Sequence, residues 1–137
     1  MTNNDFYFVR PGVLEDKNFI LATFLRGLYY GNDFYNLIPK DVFMNNYKVV
    51  AEHLTASPNV TVHIAALKED PGVILGYAIL SKDLKTVHWA FTKTVWRNKG
   101  IMKSLIPGDI DTITHFTTTT LKYLRHYPNI TFNPFKS

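Results

Sequence analysis

Between residues 14 and 29 apolar side chains return at the spacing of one helix face, with Ile20, Phe24 and Leu28 in line and Leu21 and Leu25 beside them. This predicts an amphipathic helix, and Glu15 and Asp16 near its start suit the positive end of the helix dipole. A second helix is predicted from Pro39, a residue favoured at first helical positions, to the stop at Ser57-Pro58, with Phe43, Tyr47, Val50 and Leu54 on one face. Elsewhere the period falls to two. Residues 5–10 read as an opening strand closed by Pro11-Gly12. Residues 60–67 and 73–80 flank the turn signal Glu69-Asp70-Pro71-Gly72 as an antiparallel hairpin, and residues 86–92 form a further strand whose alternation sets His88 on the face opposite Val87, Trp89 and Phe91. Pro107-Gly108 limits the helix starting at Gly100 to about two turns. Residues 111–117 are strand-like, 119–127 helix-like, and 129–132 a last short strand.

The order β α α β β β α β α β predicts an α+β domain with a mixed central sheet of about six strands flanked by helices. A length of 137 residues, 46% apolar and without an interdomain linker or repeat, fits one domain spanning residues 1–137. The absence of cysteine excludes thiol catalysis, Cys-ligated zinc and disulfides. No apolar run reaches the ~18 residues of a membrane span, and the N-terminus lacks the layout of a signal peptide, so the expectation is a cytoplasmic protein with no membrane partner. Charge is uneven. Residues 1–81 carry 6 basic and 8 acidic side chains, residues 82–137 carry 9 and 3, so an anionic partner is expected at the C-terminal part.

The stretch from Val87 to Leu105 joins an apolar strand to a helix start through Arg97-Asn98-Lys99-Gly100-Ile101. Backbone N–H groups at a helix start have no partners within the helix and can point at an anion, and glycine permits the close approach. Here the sequence resembles the GNAT acyltransferases, whose signature Arg/Gln-x-x-Gly-x-Gly/Ala follows their fourth strand. Arg97 and Gly100 match it at the right spacing, and the order of elements over nearly the whole chain looks like the GNAT fold. The resemblance implies an acyl-CoA-dependent N-acyltransferase, with acetyl-CoA or a related thioester as co-substrate and direct transfer to an amine. Arg97, Asn98, Lys99, Gly100, Ile101 and Met102 would hold the pyrophosphate, and Phe91 and Thr92 would lie along the pantetheine arm, which pairs with a strand splayed from its neighbour. Within the family the chain looks most like small virus-encoded members, including the phage DNA-modifying Mom-like group. Those combine a Gly-Ile-x helix with a Thr-His-x-Thr-like strand, here Thr114-His115-Phe116-Thr117, and an Asn-Pro near the C-terminus, here Asn133-Pro134. That narrower resemblance implies a DNA base as acceptor.

Acyl transfer to an amine needs a deprotonated amine, donors for the developing oxyanion and an acid for the leaving thiolate, but no covalent nucleophile. By resemblance the acid is a tyrosine after the fifth strand, Tyr123 ahead of Tyr127. His88 and His115 are the base candidates, because an unperturbed imidazole titrates near ~6.5. His53, His63 and His126 lack paired ligand spacing, so no metal site is expected. Trp89, Phe91 and Trp96 either pack in the core or line the pocket, and Lys93, Lys99 and Lys103 flank the glycine turn as a solvated rim or as phosphate contacts. Met102 stands where the family has Gly or Ala and crowds the pyrophosphate position unless it turns into the core. That departure favours a second reading, a GNAT-shaped binding module that has lost catalysis and engages a host protein.

Overall fold

The computed structural model describes residues 6–118, 120 and 124–136. Six strands lie in chain order across one sheet: β1 (Tyr7–Pro11), β2 (Val60–Leu67), β3 (Ile74–Ser81), β4 (Thr86–Thr92), β5 (Thr112–Ile113) and β6 (Thr131–Phe132). β1 to β4 pair antiparallel, whereas β4–β5 and β5–β6 pair parallel. The sheet is therefore mixed, as the order of elements predicts. Helices α1 (Lys17–Tyr30) and α2 (Lys40–Ala56) pack on one face, and the short α3 (Ile101–Leu105) packs on the other. Of the predicted helix over residues 119–127, positions 119 and 121–123 lie outside the described residues, and among the rest Thr120 and Leu124 are helical.

Each face has its own core. Ile20, Leu21, Phe24, Leu25 and Leu28 of α1 are buried as the periodicity requires, against Ile64, Tyr77, Ile79 and Trp89 of the sheet. On α2 the inward face differs by one position from the expected one. Phe43, Tyr47 and Leu54 pack inward, but Ala51 takes the buried place and Val50 lies 47% exposed. The 43, 47, 51, 54 spacing is the one a 3.6-residue period sustains. At the head of α1, Arg10 grips Asp16 through two bonds of 2.7 and 2.9 Å, and Asp16 also accepts from the Val13 amide at 2.8 Å. The guanidinium bond holds the Asp16 carboxyl below its ordinary pKa. It fixes the angle at which β1 enters the first helix.

Two departures from strict alternation shape the rest of the molecule. Trp89 pairs with Ile79 and Val87 with Leu80, so His88 is an extra residue in β4, a bulge. The bulge corrects the expected face assignment: Trp89 and Phe91 face α1, whereas Val87 faces α3 with Ala90. The second departure is in β5, which pairs only over Thr112–Ile113 rather than over residues 111–117. Past Ile113 the chain diverges from β4.

Candidate active site between the diverging strands

Because β4 and β5 run parallel and part after the Val87–Ile113 pair, a cleft of about 670 Å³ opens between them and passes from one face of the sheet to the other. Towards α3 it is lined by Thr92, Trp96, Arg97, Asn98 and the first turn of α3; towards α1 it is lined by Gly27, Gly31, Trp89, His115 and Thr117. One strand edge is left without a neighbour along this cleft. The Lys93 amide donates to Leu75 on β3 at 2.9 Å, so by alternation the main-chain groups of Ala90 and Thr92 face the cleft. Arg97 Nε caps the Thr92 carbonyl at 3.3 Å, closing that edge at its end.

The glycine turn stands at the same end. Thr94–Trp96 makes a single 3-10 turn, Asn98 has φ 63° and Gly100 has φ 80°, and α3 begins at the next residue. A left-handed Gly100 carries no steric penalty, and a Cβ added there would meet no atom within 4 Å. Among the described residues, the main-chain N–H groups of residues 98–103 donate to no protein oxygen. Thr92 adds an orphan of its own: it is 8% exposed, lines the cleft, and its Oγ1 has no partner. A row of free donors beside a free strand edge is a fitting cradle for an anionic, amide-bearing chain. Met102 packs against the α3-side core while still touching the cleft wall, so its side chain does take the inward course. Arg97, Lys99 and Lys103 are exposed around the mouth.

The aromatic residues serve both uses the sequence left open. Trp89 stacks on Phe24 at 4.9 Å, Phe91 stands edge-on to Phe19 at 6.0 Å, and Trp96 stacks on Phe6 at 5.2 Å. All three also form cleft wall.

The histidines meet where the strands part. His115 Nδ1 lies 3.1 Å from the His88 carbonyl and 2.9 Å from Thr114 Oγ1, and its Nε2 lies 2.7 Å from the Tyr47 hydroxyl. The carbonyl can only accept, so Nδ1 carries the proton and Nε2 accepts from Tyr47. Burial pulls the His115 pKa down to about 4, so the ring is neutral at physiological pH. His88 is 1% exposed and makes no part of the cleft wall. Its Nδ1 bonds Thr114 Oγ1 at 3.0 Å, its Nε2 has no partner, and burial lowers its pKa too. The structure thus brings His115 to the cleft and places His88 behind it. Tyr123 lies outside the described residues. Tyr47 does not stand out in the sequence as a partner of His115, because only the fold brings the two together, whereas Thr114 adjoins His115 in the Thr-His-x-Thr stretch. No cluster of three potential metal ligands occurs among the described residues. No helix among them is long and apolar enough to cross a membrane.

No protein-family model matches the chain, and no curated protein does. Solved structures do. A putative acetyl transferase from Pyrococcus furiosus superposes with a TM-score of 0.61 at 12% identity, over 93% of this chain and 80% of that one. The aminoglycoside enzyme AAC(6')-Iy, solved with the bisubstrate analogue CoA-S-monomethyl-acetylneamine, gives 0.52 at 14% identity, over 96% and 94%. The apo form of YjaB from Escherichia coli gives 0.51 at 14% identity over 74% of this chain, which spans 62% of that protein's length. The mixed six-stranded sheet with helices on both faces, opened between its fourth and fifth strands, is the fold of the GNAT acetyltransferases.

Proposed function

We propose that this protein is an acyl-CoA-dependent N-acyltransferase, with acetyl-CoA as the favoured donor, that transfers an acyl group directly to an amine. The observation that carries this reading is the coincidence, in one cleft, of a β4 edge at Ala90 and Thr92 that no strand covers with the unpaired amides of residues 98–103. Bound acyl-coenzyme A would supply the activated thioester. The turn formed by Arg97, Asn98, Lys99, Gly100, Ile101 and Met102 seats its pyrophosphate, and Phe91 and Thr92 flank its amide-bearing arm. The amides of the turn donate to no protein oxygen, so they take up the donor without first breaking a protein hydrogen bond, whereas at the strand edge only the Arg97 cap on the Thr92 carbonyl has to give way.

His115 reaches the α1 side of the cleft, where the acceptor amine would enter. Neutral at physiological pH, it is able to accept a proton, although the burial that keeps it neutral also weakens it as a base. His88 acts behind it, and Tyr123 is the acid for the leaving thiolate. Replacing Tyr123 by Phe is expected to lower turnover by about a hundredfold or more, the low end for a general acid, while leaving the acetyl-CoA dissociation constant unchanged; an unchanged rate removes Tyr123 from that role.

The finer reading is a phage-type enzyme acting on a DNA base in the host cytoplasm. The excess of basic residues after residue 81, with Arg97, Lys99 and Lys103 exposed at the cleft mouth, supports it. Duplex binding that weakens steeply between 50 and 200 mM salt, roughly the range over which counterion release acts, would bear it out. Calorimetry with acetyl-CoA tests the function itself. Micromolar binding supports the enzyme, and no heat at millimolar ligand favours the alternative of a binding module that engages a host protein.

A further inference from the structure

The strand at the far edge of the sheet reaches under the turn that would hold the pyrophosphate. Tyr7 of β1 is 2% exposed, and its hydroxyl lies 2.7 Å from Ser104 Oγ and 3.5 Å from the Gly100 carbonyl. The same carbonyl accepts from the Ser104 amide at 3.2 Å and from Ser104 Oγ at 3.2 Å. With one proton on each hydroxyl, Tyr7 donates to Ser104 Oγ across the shortest of these contacts, and Ser104 holds the carbonyl through both its own hydroxyl and its amide. In a trans peptide the C=O and the following N–H point in opposite directions, so anchoring the Gly100 carbonyl fixes the Ile101 N–H outward. The preceding residue of the chain braces the other end of the turn, where Phe6 stacks on Trp96 at 5.2 Å with an interplanar angle of 20°. Two adjacent residues, ninety or more positions upstream, thus grip the turn at both ends.

We infer that Tyr7 is a positioning residue for diphosphate recognition, acting through Ser104 and the Gly100 carbonyl to hold the Ile101 amide in its donor orientation. The inference rests on the reading of the cleft as an acyl-CoA site, to which the unpartnered Thr92 hydroxyl points independently of the turn. Left-handed Gly100 has a backbone that is free to rotate if its carbonyl is released, and its surroundings offer no steric restraint. Hydrogen bonding from Tyr7 and Ser104 supplies the restraint that packing does not.

The test compares two ligands in calorimetric titrations of the wild type, Tyr7→Phe and Ser104→Ala. Coenzyme A carries the diphosphate; pantetheine carries the same arm without it. Tyr7→Phe removes a single oxygen and keeps the ring, and a thermal melt establishes that the variant is folded. The dissociation constant for coenzyme A is expected to rise about three- to tenfold, the loss of roughly one hydrogen bond, with the constant for pantetheine unchanged, and Ser104→Ala is expected to show the same split. Equal affinity of wild type and both variants for coenzyme A would overturn the inference, and so would equal weakening of both ligands, which a merely structural tyrosine would produce. Wild-type protein that binds neither ligand would overturn the acyl-CoA reading and this inference together.

Discussion

Acidification from pH 7 to about 4.5 will destabilise the protein by roughly 2–3 kcal/mol through His115 alone. An imidazole in the unfolded chain titrates near ~6.5, whereas burial holds the folded His115 at about 4. The folded state therefore keeps the ring neutral while the unfolded state takes up a proton. Stability from this group is intact above about pH 6.5, falls by about 1.4 kcal/mol per pH unit below it, and levels off beneath the folded value. His88 adds to the loss in the same direction, since burial lowers its pKa as well. The physical source is specific. His115 donates from Nδ1 to the His88 carbonyl and accepts at Nε2 from Tyr47, so a second proton has no acceptor unless Tyr47 turns its own hydroxyl away. Denaturant unfolding across this range, compared with His115→Asn, isolates the contribution. The variant should show a shallower dependence by close to one proton between pH 6.5 and 4.5, whatever its stability at pH 7. Parallel curves for the two proteins would place the proton uptake elsewhere.

Replacing Gly100 by Trp will abolish acetyl-CoA binding, with a loss of at least a hundredfold, while the protein stays folded. A Cβ at this position meets no atom within 4 Å, so the side chain starts into the open space beside the turn rather than into the core. The left-handed backbone, φ 80°, penalises any side chain by about 1–2 kcal/mol, which a folded domain of this size tolerates. Cofactor binding does not tolerate it, because an indole there fills the approach to the free amides of residues 98–103. Gly100→Ala separates the two effects: it carries the backbone strain with little bulk and should weaken binding much less. Equal weakening by Ala and Trp would mean that strain in the turn, and not occupation of the site, governs affinity.

Local pattern made most of the scaffold legible. The buried stripe of α1, the β2–β3 hairpin and the order of six strands follow from residue spacing, because each rests on contacts that one element makes along its own length. Misreadings arose where one added residue shifts the phase. His88 bulges out of β4 and turns Val87 away from Trp89, and a bulge leaves no mark in an alternation of Val, His, Trp and Phe. On α2 the exchange of Val50 for Ala51 reflects the same problem, since a small residue at the tightest approach is less conspicuous than a larger one that faces out. Residues 114–117 are as β-branched and apolar as a strand requires, yet they leave β4 at Ile113. There the bonds of His115 and Thr114 to the His88 carbonyl replace the ladder.

At the site, the glycine turn was legible because a strand, a glycine and a helix start are contiguous. Its supports were not. Tyr7 reaches Ser104 and Tyr47 reaches His115 across 97 and 68 residues, respectively, and only the assembled sheet brings them together. The α1 side of the cleft was likewise hidden, since nothing in the spacing of Gly27 and Gly31 tells what each approaches. A Cβ on Gly27 would come within 2.6 Å of the Trp89 ring, and one on Gly31 within 2.6 Å of Thr117. These glycines let the first helix approach both arms of the opening.

The central claim, that a diphosphate-bearing thioester sits between β4 and β5, is tested most directly by an amide-resolved NMR titration of the labelled protein with coenzyme A. The account predicts saturable shifts concentrated at the amides of residues 98–103 and at Ala90 and Thr92. Shifts centred instead on the separate cavity beside Arg10, Phe19 and Lys93, or no shifts at millimolar ligand, would contradict it.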